Sequence, residues 1–267
     1  PFIYVLALSL NDGLDAQRGG IYFWPRKFSL ENYAAIFKNP DIVNAYAITL
    51  FRVVVGTILT VFLTAACSYA MSRNTLPFRR FFNWMILIPM YFSGGIIPYY
   101  LVVSGLGLKD SIWVYVIPTI YSSFNIILMR TFMKQLPESL NESARLDGAN
   151  DFIIFIKIIL PLSKPVIATV ALFTAVYHWN DWYMATIFAT SKKMWPASTL
   201  LLNILKSSEI SSYVNTKFFM AGARRRVVTP EALKMAMLIV TTLPIVIVYP
   251  FLQKYFVKGV MIGSLKG

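Results

Sequence analysis

Long apolar stretches alternate with short polar segments along this chain. Residues 53–71 are apolar almost without interruption, with 42–51 as an extension reaching beyond the hydrocarbon. Apolar runs follow at 81–103, 112–133, 165–190 and 235–253. A bilayer-crossing helix needs about 20 mainly apolar residues, so each of these runs predicts a span. The opening "PFIYVLALSL" supplies only ten residues before Asn11. It lacks the charged start and small-residue cleavage site of a signal peptide, and reads as the outer end of a first span beginning before Pro1. The pattern therefore predicts an all-α polytopic membrane protein: one domain over 1–267, six spans, and both termini on one side.

Composition agrees. Apolar residues make up 57% of the chain, charged residues only 14%, and the mean hydropathy is +0.60; a soluble domain carries roughly 25% charged residues. The basic excess adds an orientation, because short cytoplasmic loops collect Lys and Arg. "SRNTLPFRR" (72–80) has three arginines and no acid, and Lys254, Lys258 and Lys266 follow the last span. Both place the C-terminus, and with it residues 134–164, in the cytoplasm. The predicted external loop 191–233 resists the rule, with seven basic residues against Glu209 and Glu231. Cys67 is the only cysteine; it lies in an apolar run and reads as a buried, inert thiol.

One polar segment stands out between apolar runs. "LPESLNESARLDGAND" (136–151) predicts a helix of about two turns. Ser139 and Glu142 have capping-box spacing, and Gly148 suits a left-handed stop. Asn150 or Asp151 can then cap a second helix, "FIIFIKIIL", closed by Pro161. Two readings fit these residues: a rigid cytoplasmic knob for a groove on another protein, or an ordinary connection.

The segment resembles the E-A-A-x3-G-x9-I-x-L-P signature of permease subunits of bacterial ATP-binding-cassette (ABC) importers. Here it runs Glu142-Ser143-Ala144, three residues, Gly148, nine residues, Ile158-Ile159-Leu160-Pro161, with Ser143 for the first alanine as the one departure. The tail "QKYFVKGVMIGSLKG" is similar to the endings of maltose-type carbohydrate permeases, with the second permease subunits of alginate and oligosaccharide importers as the nearest resemblance. The resemblance implies a coupling segment over 137–161, in which Glu142, Ser143, Ala144, Asp147, Gly148, Ala149 and Pro161 transmit motion from an ATPase dimer. It further implies a second permease chain forming a heterodimer, an extracytoplasmic solute-binding protein, and the bacterial inner membrane as location. ATP and Mg would be held by the ATPase. This chain has no G-x-x-x-x-G-K-[ST] loop for nucleotide phosphates, no metal-ligand cluster and no call for a nucleic-acid partner, so it reads as a non-catalytic subunit.

Polar groups inside spans mark candidate pathways. Pro89, Ser93, Gly94, Gly95 and Pro98 predict an interrupted helix, the kind that lines transporter cavities. Ser122, Ser123 and Asn125 lie mid-span, where helix packing is the other reading. "YHWNDWY" (177–183) offers more. On a continuous helix Tyr177, Asn180 and Asp181 share one face, and Trp179 and Tyr183 another. With Trp182 they suit a carbohydrate, whose C–H faces stack on rings and whose hydroxyls bond to polar tips; an interfacial aromatic belt fits the same residues. His178, the only histidine, is a poor case for a proton relay. Arg52 is expected to snorkel to the outer surface. Arg224, Arg225 and Arg226 form an external basic cluster that could draw in an anionic oligosaccharide such as alginate or dock an acidic binding protein; a solvated loop is the plain alternative.

The function expected is ATP-driven import of a carbohydrate. The same machinery for a peptide or phosphate is the alternative. An ion-coupled carrier is disfavoured, since neither paired intramembrane carboxylates nor repeats occur.

Overall fold

The computed structural model describes residues 1–206 and 228–264. These form α1 (Phe2–Ser9), α2 (Gly13–Ala16), α3 (Glu31–Lys38), α4 (Pro40–Ser72), α5 (Arg79–Tyr91), α6 (Ile96–Gly105) and α7 (Ser123–Met133). After α7 come α8 (Ser139–Leu146), α9 (Asp151–Ile154), α10 (Leu160–Leu162), α11 (Lys164–Asn180), α12 (Tyr183–Phe188), α13 (Ala197–Lys206) and α14 (Pro230–Ser264). Short 3₁₀ turns at Ile112–Tyr115, Ile117–Thr119 and Lys192–Met194 and a π turn at Phe155–Ile159 complete the set. Among the described residues the only strand-like pairing is the bridge between Asn11 and Phe28.

Among the described residues two helices are long and apolar enough to cross a membrane unaided, Pro40–Ser72 and Glu231–Pro250. At ~1.5 Å per residue α4 is about 50 Å long, so the apolar run and its extension are one uninterrupted rod. Two other predicted spans, 81–103 and 112–133, are bent pairs, a third bent pair joins Asp151–Leu162 to Lys164–Asn180, and counting each pair as one gives five. The run 81–103 is not continuous: α5 and α6 meet at 120°. Gly95 there adopts φ +81°, and its N–H is satisfied by the Ser93 hydroxyl at 3.2 Å. The run 112–133 bends by 49° between its 3₁₀ turns and α7. Residues Asp151–Leu162 meet α11 at 82°. The helix after Gly148 does not close at Pro161: the π turn precedes that proline, and Leu160–Leu162 continues through it. Ser163, whose N–H reaches the Ile159 and Leu160 carbonyls, ends it.

The chain divides into two compact units, 1–50 with 180–247 and 51–179 with 248–267. In the first, Ala35 and Ile36 of α3 pack with Ile42 and Ala45 of α4, Leu200 and Ile204 of α13, and Ala236 and Met237 of α14. Part of the segment expected as an external loop, Ala197–Lys206, is thus a packed helix. The Thr49 hydroxyl receives the Ala197 N–H at 2.9 Å, satisfying a donor where α13 begins. Buried Asn32 donates to the carbonyls of Ser9 and Asn11, 2.9 Å each, and so ties α3 to the end of α1. In the second unit, Ala65 and Tyr69 of α4 meet Met129 and Met133 of α7, Ala144 of α8, Phe155 and Ile159 of the π turn, and Val166 and Val170 of α11.

Candidate coupling surface and translocation cavity

α8 is a two-turn knob with a sharp stop. The Ala149 N–H bonds to the Ala144 carbonyl at 2.9 Å and the Gly148 N–H to the Arg145 carbonyl at 3.0 Å. With Gly148 at φ +80° this is a complete Schellman motif. The expected capping box is not formed. Glu138 is the residue that precedes the helix, and its side chain makes no capping hydrogen bond. Instead Glu138 turns to Arg73, 3.0 Å away. The second helix starts as expected, with the Asn150 side chain accepting the Ile153 N–H at 2.9 Å. An exposed Arg145–Asp151 pair at 2.7 Å braces the turn and holds the Arg145 pKa above its ordinary value.

The knob divides into two faces. Glu142, Ser143, Asp147 and Gly148 are exposed, whereas Ala144 is buried against the second unit's core and Ala149 is half-buried. Ala144 therefore seats the knob and is not on its outer face. Pro161 is exposed, at the far end of the following helix. The outer face carries a residue that motif reading passed over: Leu146, 90% exposed. Its signal was an apolar side chain one turn beyond Glu142 with no apolar helical partner.

Beneath the knob lies a junction on α4. Tyr69 is buried, reaches Asn141 of α8 with its hydroxyl at 3.4 Å, and stacks on Phe155 with centroids 5.5 Å apart. The Arg73 guanidinium lies 6.0 Å over the same ring. One side chain thus touches α8 and the π turn that leads into α11.

A cavity of about 530 Å³ opens in the second unit. Thr60 of α4, Tyr99 of α6, Pro118, Thr119, Tyr121, Ser122, Phe124 and Asn125 about the start of α7, and Phe173, Thr174 and Tyr177 of α11 line it. It brings together Asn125 and Tyr177, two of the expected pathway residues. Ser93 is not among its lining and instead supports the α5–α6 break. Thr60, Tyr99, Tyr121 and Thr174 were missed; intramembrane hydroxyls beside prolines were the available signal.

The face expected through Asp181 does not exist, because α11 ends at Asn180. The Asp181 carboxylate accepts the N–H groups of Tyr183 and Met184 at 3.0 and 3.4 Å. Ser198 and Thr199 bond the carbonyls of Asp181 and Trp182. An acid able to satisfy free N–H groups favours starting a new helix over continuing the old one. Trp182 and Tyr183 are exposed, as is Asn180, while Trp179 is buried. Arg224, Arg225 and Arg226 lie outside the described residues.

The family described as "Binding-protein-dependent transport system inner membrane component" matches residues 53–262. The chain belongs to this family. The permease is 39% identical to the polygalacturonan/rhamnogalacturonan transport system permease protein YtcP of Bacillus subtilis, over all of this chain and 92% of that one. It is 37% identical to protein LplC of the same organism, again over its whole length and 89% of LplC. Its fold is similar to a crystal structure of a bacterial ABC transporter involved in the import of the acidic polysaccharide alginate, with a TM-score of 0.87 and 29% identity over 96% of this chain and 90% of that one. The permease is accordingly a multi-pass protein of the bacterial inner membrane and the non-catalytic component of its system.

Arg52 of the permease does not snorkel. It is fully buried, with its guanidinium 5.6 Å from the centroid of the Tyr115 ring and a long contact of 3.5 Å to the Trp179 carbonyl. An aromatic face and a carbonyl supply partners that an isolated span would lack. His178 is buried too, and its ring lies against Gly56 of α4.

Proposed function

We propose that this chain is a transmembrane subunit of an ATP-driven importer of oligosaccharides, and that α8 takes up the motion of an ATPase dimer. The single observation that carries the coupling role is α8 itself, a short helix with a glycine stop, exposed on one face and seated through Ala144 and Asn141 on the other. Glu142 is the partner for a basic group of the ATPase, and Leu146 fills an apolar recess beside it. Motion received there passes through Tyr69 and Phe155 to α4 and α11. ATP and Mg belong to the ATPase subunits.

The full molecule is read as six spans with a cytoplasmic C-terminus, paired with a different permease chain. Substrate arrives from an external solute-binding protein. Relatives named for polygalacturonan and alginate support an acidic oligosaccharide as cargo. Asn125 and Tyr177 on the cavity contact it, with Trp179, Asn180, Asp181, Trp182 and Tyr183 farther along the same stretch of chain. The Arg224–Arg226 cluster serves the external face.

The test is Glu142→Lys in the complete importer reconstituted in proteoliposomes. The variant is expected to insert and to assemble with its second permease chain, yet to lose uptake and substrate-stimulated ATP hydrolysis. Wild-type uptake by this variant would refute the coupling role.

A further inference from the structure

The cavity holds a chemical selectivity that the names of the relatives do not suggest. At about 530 Å³ it lies within the range of small-molecule sites. Tyr99, Tyr177, Phe124 and Phe173 contribute ring faces, with Phe124 and Phe173 6.4 Å apart and tilted by 42°. Asn125 is only 8% exposed and lines the cavity beside Thr60 and Thr174, whose buried hydroxyls have no hydrogen-bond partner among the described residues. Buried hydroxyls without partners are costly and are rarely left so unless something else meets them. Every described residue lining the cavity is uncharged at neutral pH.

We infer that this cavity is a saccharide subsite that reads ring faces and hydroxyls and does not read carboxylates. It rests on the transport reading above and adds which part of the sugar this chain recognises. Sugar rings stack on the aromatic side chains, and hydroxyls, which both donate and accept, meet the Thr60 and Thr174 hydroxyls and the Asn125 amide. A carboxylate buried here would meet no cation and would lose its hydration. An acidic oligosaccharide is therefore held here by its uncharged edges, and its carboxylates are met elsewhere in the importer.

The inference is tested with two probes that differ only at C6 of each ring, a galactose trisaccharide and the galacturonate trisaccharide of the same linkage. Binding of each to the purified, nucleotide-free importer is followed by titration calorimetry. Asn125→Ala is expected to weaken both by the same factor, about tenfold for the hydrogen bonds lost, and Asn125→Gln to restore part of it. Tyr177→Leu, at a half-exposed position, is expected to weaken both as well and guards against misfolding of the first variant. Thr131→Val, an exposed change on α7 outside the cavity lining, is expected to change neither. The subsite is refuted if neither probe binds, if binding of both ignores Asn125 and Tyr177, or if only the galacturonate form responds. Failure of the transport reading is seen separately, as a wild-type importer that takes up neither saccharide into proteoliposomes.

Discussion

Tyr69 and Phe155 stack with ring planes 22° from parallel, joining the end of α4 to the π turn between the knob and α11. The Tyr69 hydroxyl reaches the knob itself through Asn141. The knob and the π turn, both far from Tyr69 in sequence, thus converge on its ring. Tyr69→Phe keeps the stack and loses only a long hydrogen bond, so stability should change by about 1 kcal/mol or less. Tyr69→Ala removes a buried aromatic, a loss of roughly 3 kcal/mol or more, and should lower substrate-stimulated ATP hydrolysis well below that of Tyr69→Phe. Equal stimulation in the two variants, measured at a temperature where both are folded, would remove this ring from the coupling route.

Gly148 separates backbone strain from steric exclusion. A Cβ built there would meet nothing within 4 Å, but φ is +80°. Alanine should therefore cost only about 1 kcal/mol of local strain, and asparagine less. Proline removes the N–H bonded to Arg145 and demands a negative φ. Stimulated hydrolysis should fall in the order Gly, Asn, Ala, Pro; a fully active proline variant would show that the stop is dispensable.

Gly56 makes the opposite prediction. A Cβ at this position would clash with Nε2 of buried His178. Gly56→Ala should destabilise by about 1–3 kcal/mol through overpacking. His178→Ala should relieve much of that in the double variant, so thermal denaturation of the four proteins should be strongly non-additive. Additive effects would mean that α4 and the imidazole yield without cost.

Acid should loosen the segment after α1 in a defined way. The side chain of Asn11 donates to Asp15 and, with Arg26 and Lys27 nearby, holds its carboxyl below the ordinary value although burial opposes this. A depressed folded-state pKa stabilises above the ordinary carboxylate value of about 3.9 and is lost as pH falls through the folded-state value. Arg26→Met removes part of the charge, so its acid transition, followed by tryptophan fluorescence, should begin at a higher pH than in the wild type. An unchanged transition would show that the Asp15–Arg26 pair contributes nothing.

Helical class, membrane residence, the two-turn knob and its glycine stop were all legible along the chain. Each depends on local quantities: the length of an apolar run, a left-handed glycine, an asparagine ahead of a helix. The fixed spacing from Glu142 to Pro161 carried the family resemblance for the same reason. Tertiary structure decided the rest. The breaks that bend the runs 81–103 and 112–133 depend on what each proline and glycine packs against, and Asp181 ends one helix because a new one needs its carboxylate. Ala144 and Ser143 are both small, and only packing sent one to the core and the other to the surface. Arg52 is buried because Tyr115 and the Trp179 carbonyl, more than 60 and 120 residues away along the chain, arrive beside it. Partners that distant leave no trace in local periodicity.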